Sequence, residues 1–387
     1  MFYAGEAQIQ NKDLRQPTRP TVAEIDLSAI GYNVKGIRKR VGKAPKVMAV
    51  VKANAYGHGL VEVAKYVEKL TDYLGLAIPE EGRTLREAGV KSPIHIFTLP
   101  AKGQAELYPQ FDLEATICSL NEARWLQRAA ERARRSIDVH LKVETGMNRI
   151  GARVEELPTL IRSLRRYRRL RVKGLFSHFA TAEEKDKSFA RKQLDRFHQA
   201  IEIARREGLS PELYHIANSG AILDLPESYF SMVRAGIMMY GYYPSAETTE
   251  SVKLRTAMRL RSKVSYVKWI DAGETVGYGR RFVATRRTKI ATVPIGYADG
   301  FTRLLSGRAS VLVNGKLFPV VGTIAMDQMM VNVGKDDVEV GDEVVLIGSQ
   351  GNVTLSAWEI ARKLGTVPYE VCCWVSARVP RLYRRTR

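Results

Sequence analysis

The chain has 387 residues, and 61 Lys+Arg against 41 Asp+Glu give a formal net charge of +20. Apolar residues make up 45% and charged residues 26%, ordinary globular usage that excludes a disordered chain, a collagen and a coiled-coil rod. The length suits two domains, or one large barrel with a smaller module, and allows a sizeable core.

The leading segment, MFYAGEAQIQNKDLRQPTRP, shows no basic-then-apolar leader pattern, and no apolar run is long enough to span a bilayer. Residues of about 20–27, which include TVAEIDL, read as an early strand that could pair with the C-terminal domain. From about residue 28 to 240, short apolar runs alternate with amphipathic segments. The runs are KVMAVV (46–51), YLGLA (73–77), PIHIF (93–97), LEATI (113–117), IDVHLKV (137–143), VKGLFSHF (172–179), LYHIA (213–217) and YFSMVR (229–234). Between them lie LVEVAKYVEKL, SLNEARWLQRAAERA and KSFARKQLDRFHQAIEIARREG, each of helix length. Strands that alternate with helices predict parallel βαβ units, and about eight of them predict a closed (β/α)8 TIM-type barrel over residues 1–241.

The polar, Pro-containing stretch YYPSAETTESV reads as a linker. Beyond it, TAMRLRSKVSYVKWI, KIATVPI, SVLVNG, LFPVVG, QMMVNV and DEVVLIG are strand-like, with Gly, Asn and Asp between them. A mostly antiparallel β domain is therefore expected over 242–387, interrupted by one helix, SAWEIARKLG.

The three cysteines, Cys118, Cys372 and Cys373, have no metal-ligand spacing, and the two adjacent ones do not easily bridge each other. They point to a reducing cytoplasm, with no metal and no disulfide framework. Basic clusters lie at Arg162–Lys173, at Arg132, Arg134 and Arg135, and in the tail RLYRRTR. A nucleic-acid binder shows such runs, but no recognition motif accompanies them. They read as a solvated face on an enzyme with anionic ligands. Arg165, Arg166, Arg168 and Arg169 flank a helix end and are expected outside.

In a barrel, the C-terminal ends of the strands build the active site. Lys52 is read as ending the first strand, directly after its apolar run. By position alone a surface lysine is the plainer reading. A desolvated amine with a lowered pKa, suited to Schiff-base chemistry, is the other. The ANAYGHG that follows reads as a loop in close approach to something. At the seventh and eighth strand ends, Asn218, Ser219 and Gly220 in HIANSG, and Gly236 in VRAGIMMYG, stand where barrels bind phosphate. His178 closes the sixth strand as a stacking partner, an acid–base group or a satisfied core histidine. Lys142 and Arg149, with Glu144 between them, belong to the site or simply pair at the rim. VGYGR and VPIGYADG each set a Tyr among glycines, more often a turn than a catalyst, and nothing local singles out Tyr278.

Taken in order, VMAVVKANAYGHG, LKVETGMNRIG, SHFATAEE, IANSGAIL, VRAGIMMYGYYP, VGYGR, VPIGYADG and TIAMDQ resemble the pyridoxal-phosphate-dependent alanine racemases over nearly the whole chain. The resemblance implies alanine as substrate, pyridoxal 5'-phosphate as cofactor and D-alanine for peptidoglycan. It also implies a cytoplasmic homodimer with shared active sites that engages neither nucleic acid nor membrane. By that resemblance Lys52 carries the cofactor as a Schiff base and is one catalytic base. Tyr278 is the other, reaching in from the partner subunit. Tyr56, Asn218, Ser219, Gly236, Ile237 and Tyr369 hold the phosphate end. Arg234 pairs with the pyridine nitrogen, and His178 flanks the ring and touches Arg234. Arg149 holds the phenolic oxygen and the substrate carboxylate, near the Met326 backbone. Lys142 stands at a position often carbamylated, and Tyr297 lines the substrate entrance.

Racemisation removes a proton from one face of Cα and returns one to the other, which calls for two bases on opposite sides. A tyrosine acting as base needs a lowered pKa, which neighbours such as Arg149 would provide. Arginine does not readily yield a proton, so Arg234 would leave the pyridine nitrogen unprotonated and the electron sink weaker. Three positions depart from the pattern: Ala325 where Cys or Ser is frequent, Glu144 where Asp is usual, and Asn148 where Gly is common. None removes a catalytic group. The alternatives are a broader-specificity racemase, or another pyridoxal-phosphate enzyme on the same architecture.

Overall fold

The computed structural model describes residues 18–385, so most of the leading segment and the last two residues of the basic tail lie outside the described residues. The chain forms two compact units. Of the described residues, one comprises 25–258, 365–373 and 383–385, and the other 18–24, 259–364 and 374–382.

The first unit is the barrel. Its eight strands are Lys46–Val50, Tyr73–Leu76, Ile94–Ile96, Ala115–Ile117, Ile137–Glu144, Leu170–Phe176, Leu213–His215 and Met232–Ala235. They pair in parallel within two arcs, with the eighth against the first through Arg234 opposite Met48. The bridge between His95 and Glu114 joins the third and fourth strands. The bond from Arg234 N to Ala217 O, 3.0 Å, links the segments around the seventh and eighth.

The helices form where local signals asked for them. Leu27–Val41 starts on Asp26, whose carboxylate accepts from Ala29 N at 3.0 Å, and ends in Arg38, Lys39 and Arg40, cations suited to a helix C-terminus. Its Leu27, Ile30, Val34, Ile37 and Val41 are buried at helical spacing, and this stripe anchors it. Leu120–Ala133 carries a capping box, Glu122 Oε2 accepting from Ser119 N at 2.7 Å. Ser188–Arg206 forms as its pattern predicts.

Three expectations are refined. The run 229–234 is strand only from Met232, because a tight turn at Pro226–Ser228 and a left-handed Phe230 (φ 44°) precede it. The barrel unit extends past the expected boundary at 241, to Met258. Asn33 fixes that extension: its side-chain amide donates to Met239 O (2.9 Å) and Arg255 O (2.8 Å), and its carbonyl accepts from Arg255 N. A second helix, Pro368–Trp374, follows the expected Ala357–Leu364, and residues 365–373 pack with the barrel.

The second unit is a large, mostly antiparallel sheet. Its strand order is Tyr266–Ile270, Thr288–Val293, Met329–Gly334, Lys316–Val321, Ser310–Val313, Glu343–Gln350, Met258–Lys263, Val22–Asp26 and Arg381–Arg384. The early strand pairs in this sheet between Met258–Lys263 and Arg381–Arg384. The Asn314–Gly315 hairpin works because both residues adopt positive φ, 49° and 75°, as a two-residue turn between twisted strands requires. Arg165, Arg166, Arg168 and Arg169 are exposed, and the three cysteines are free. No helix among the described residues is long and apolar enough to cross a membrane.

Candidate active site

A cavity of about 520 Å3 opens at the C-terminal ends of the barrel strands and is lined wholly by the barrel unit. Nine residues expected at the site line it together: Lys52, Tyr56, Lys142, Arg149, His178, Asn218, Ser219, Arg234 and Tyr369. Gly236 and Ile237 complete the set.

Lys52 does not end the first strand; it opens a left-handed turn. Ala53, Asn54, Ala55 and Tyr56 all take φ between 52° and 54°, a conformation costing on the order of 1–2 kcal/mol for each residue with a side chain. The turn is pinned on several sides. Glu81 accepts from Ala53 N at 2.6 Å, and Asn54 Oδ1 from Leu60 N at 2.8 Å. Gly57 closes it at φ 79°, so near the Cys372 carbonyl that a Cβ would lie 2.1 Å from that oxygen. Strain held this firmly by its surroundings is characteristic of functional sites. Burial, then the charge of Arg149, lowers the Lys52 pKa, so more of its amine is free to act as a nucleophile.

Around Gly236 lies a cradle of neutral donors. A Cβ on Gly236 would sit 3.1 Å from the Tyr56 hydroxyl and 3.5 Å from Ser219 Oγ, so glycine leaves open the space that these groups surround. Ser219 Oγ accepts from Gly236 N at 3.1 Å, and Asn218 caps the short helix behind it, its Oδ1 accepting from Ala221 N at 3.1 Å. Burial raises the Tyr56 and Tyr369 phenols above their ordinary values, so both remain protonated donors toward an anion. Their rings lie 5.9 Å apart.

Arg234 is almost fully buried on the eighth strand. Its NH2 lies 2.9 Å from His178 Nδ1 and 3.0 Å from both Ser177 O and Ile216 O, and its NH1 is 3.0 Å from His215 Nδ1. Its Nε–H and second NH1 hydrogen have no acceptor among the described residues. Burial, then the charge of Arg149, pulls its pKa down, but a guanidinium keeps its charge across the physiological range. Burial and Arg234 hold His178 well below its ordinary pKa, so its ring is neutral.

Lys142 is buried, has no hydrogen bond or ion pair among the described residues, and lies 5.0 Å from the centre of the Phe176 ring. Burial, followed by the Arg234 charge, pulls its pKa well down. Neither it nor Arg149 forms an ion pair with Glu144, which sets aside the rim-pairing reading. Glu144 instead accepts backbone hydrogen bonds from Gly146, Met147 and Asn148, folding the loop that carries Arg149. Burial raises the Glu144 pKa, but these bonds and Lys142 outweigh it and the net shift is downward. Asn148 takes φ 53°, which Asn tolerates and Gly adopts freely, so that departure is structurally neutral.

Tyr278, Tyr297 and Met326 lie in the other unit, exposed by 72%, 41% and 52%. Their loops are tied together. Thr323 Oγ1 donates to Tyr278 O at 2.8 Å, Tyr297 N to Ala325 O at 3.1 Å, and Ala298 N to Met326 O at 3.1 Å. Ala325 takes part in this tie through its backbone carbonyl, a bond that does not depend on its side chain.

The sequence reading missed Glu81, His215 and Cys373. Glu81 carries only a helix-start signal, in PEE. His215 stood in plain view as a histidine inside an apolar strand. Cys373 reaches the cavity on a helix that pattern reading overlooked.

The chain matches the family models "Alanine racemase, N-terminal domain" over residues 25–244 and "Alanine racemase, C-terminal domain" over 257–383. It is 42% identical over 370 residues to the alanine racemase of Clostridium novyi, covering 94% of this chain and 95% of that one. It is 44% identical over 368 residues to alanine racemase 2 of Caldanaerobacter subterraneus, with 94% and 95% covered. Among solved structures, the alanine racemase of Clostridium difficile superposes with a TM-score of 0.92 at 40% identity, covering 96% and 97% of the two chains. That of Bacillus anthracis with bound L-Ala-P gives 0.92 at 35% identity, covering 96% of each.

Proposed function

The chain belongs to the alanine racemase family, amino-acid isomerases that interconvert L- and D-alanine, and from that premise we propose that its barrel cavity holds pyridoxal 5'-phosphate on Lys52. The observation that carries the proposal is the fit of the donors. A lysine with a lowered pKa, an open glycine cradle between two hydroxyls, and a buried arginine with unspent N–H groups line one cavity. These suit an aldehyde, a phosphate and a ring nitrogen respectively.

Bound there, the cofactor supplies an electron sink for the pair left on Cα when its proton leaves. Tyr56, Ser219 and the Ile237 N–H hold the phosphate, and Tyr369 backs Tyr56. Arg234 donates to the ring nitrogen without surrendering a proton. Arg149 has no acidic partner among the described residues and holds the substrate carboxylate. Lys52 exchanges the Cα proton on one side. Tyr278 exchanges it on the other, contributed by a second copy of the chain in a homodimer. The exposed cluster of Tyr278, Tyr297 and Met326 supports this shared site: large apolar side chains grouped on a surface suit an interface. The free thiols suit a reducing compartment such as the cytoplasm.

Incubation with L-alanine and chiral analysis of the product tests the activity, with other amino acids alongside to set its range. Borohydride reduction of the loaded enzyme should fix a pyridoxyl group on the peptide containing Lys52. Label on another lysine overturns the assignment.

A further inference from the structure

A chain of buried hydrogen bonds runs from Arg234 through the barrel interior and away from the cavity. Arg234 NH1 is 3.0 Å from His215 Nδ1, His215 Nε2 is 2.9 Å from His140 Nδ1, and His140 Nε2 is 2.8 Å from Glu114 Oε2. Glu114 Oε1 takes Lys173 Nζ at 2.6 Å, and Lys173 also lies 3.1 Å from Asp138, which Arg171 grips with two bonds of 2.7 Å. Both histidines are fully buried, and Glu114 is only 6% exposed.

The donor rules leave this chain one direction. An arginine only donates, so His215 Nδ1 must accept and its ring carries the proton on Nε2. That N–H points at His140 Nδ1, which must accept in turn, so His140 is also protonated on Nε2 and donates to Glu114. A proton added to either ring would set N–H against N–H. In a low-dielectric interior such a mismatch is costly. Burial raises the Glu114 pKa, but the bonds from His140 and Lys173 outweigh it, and the carboxylate stays ionised. His95, Glu114 and His140 place donor atoms near enough for a metal ion. The positive charge such a group needs is already supplied by Lys173, so the cluster reads as part of the hydrogen-bond chain.

We propose that Glu114 is a positioning residue for Arg234: through His140 and His215 it sets the direction of the hydrogen bonds, fixing which Arg234 hydrogens are spent inside the barrel and which remain for the cavity. Its consequence for turnover rests on the pyridoxal phosphate reading above; the direction of the bonds does not.

The test uses holoenzyme labelled with 15N-histidine. The chain has six histidines, so single substitutions can assign the signals. His140 and His215 should both be neutral Nε2–H tautomers. In Glu114→Gln the amide cannot turn its NH2 toward the Lys173 ammonium. It turns the NH2 toward His140 instead, reverses both rings and sets His215 Nδ1–H against Arg234. We expect the reversed tautomers and a fall in kcat of about tenfold or more, the scale of one lost hydrogen bond to a charged group. In Glu114→Gln/Lys173→Met the amide oxygen can face His140 again, and both the tautomers and most of kcat should return. A wild-type His215 that is charged or Nδ1–H overturns the proposal, and does so even if the variants do not fold. So does a Glu114→Gln enzyme with unchanged tautomers, or a double variant that restores the tautomers without the turnover. Borohydride labelling of Lys52 fails or succeeds independently of these signals, so a wrong cofactor reading shows separately.

Discussion

Lys142 is a buried amine without a hydrogen bond among the described residues, and carbon dioxide offers it one way out. A free amine adds carbon dioxide to give an N-carboxylate and a proton, replacing a neutral group with an anion that attracts Arg149. The reaction needs the uncharged amine, and each unit by which burial and Arg234 lower the pKa raises the free fraction about tenfold at a given lower pH. The perturbation is Lys142→Met, close in length and apolar. In carbon dioxide-free buffer it deletes only an unsatisfied buried polar group, a gain of about 1–3 kcal/mol. At about 2–4 °C per kcal/mol for a unit of this size, the variant should melt several degrees above wild type. The unmodified wild type should also lose stability as pH falls below the free-lysine value. The unfolded chain then binds a proton that the folded one resists, and the variant should show a flatter pH dependence. In bicarbonate the sign should reverse, because wild type gains a bond to Arg149. The variant should also lose about tenfold or more in kcat/KM for alanine, the scale of one hydrogen bond between charged groups. Thermal melts in both buffers, with intact-peptide mass to detect the added carbon dioxide on Lys142, decide it. A bare amine in bicarbonate together with a melting difference that ignores bicarbonate refutes the reasoning.

Two further outcomes follow from the site. Arg234→Glu should protonate the ring nitrogen, raise long-wavelength absorbance and transamination in the loaded enzyme, and slow racemisation; unchanged spectra and rates would contradict the role given to Arg234. Lys52→Ala and Tyr278→Phe should each be inactive, yet after subunit exchange about a quarter of all sites should recover, since half the dimers are mixed and each restores one site. Activity that stays at background after verified exchange would reject the shared site.

The sequence alone was enough for the architecture. Apolar runs alternating with amphipathic segments require a parallel sheet wrapped by helices, because each element must bury its apolar face on the next. Ser119 with Glu122, and Asn314 with Gly315, announced their cap and turn through chemistry that acts within a few residues. Gly236 and Ser219 were legible as strand-end residues and Lys52 only as one of two readings, whereas Tyr278 was visible only through the resemblance, because a Tyr among glycines has no local mark of catalysis. What the tertiary structure alone decided depends on partners distant in the chain. The left-handed turn after Lys52 contains Ala and Tyr, which do not favour that conformation by themselves. It exists because Glu81, Asn54 and the Cys372 carbonyl hold it. The proton positions on His140 and His215 are likewise invisible in two apolar strands. They follow from an arginine at one end of the chain of bonds and a carboxylate at the other, brought together only when the barrel closes.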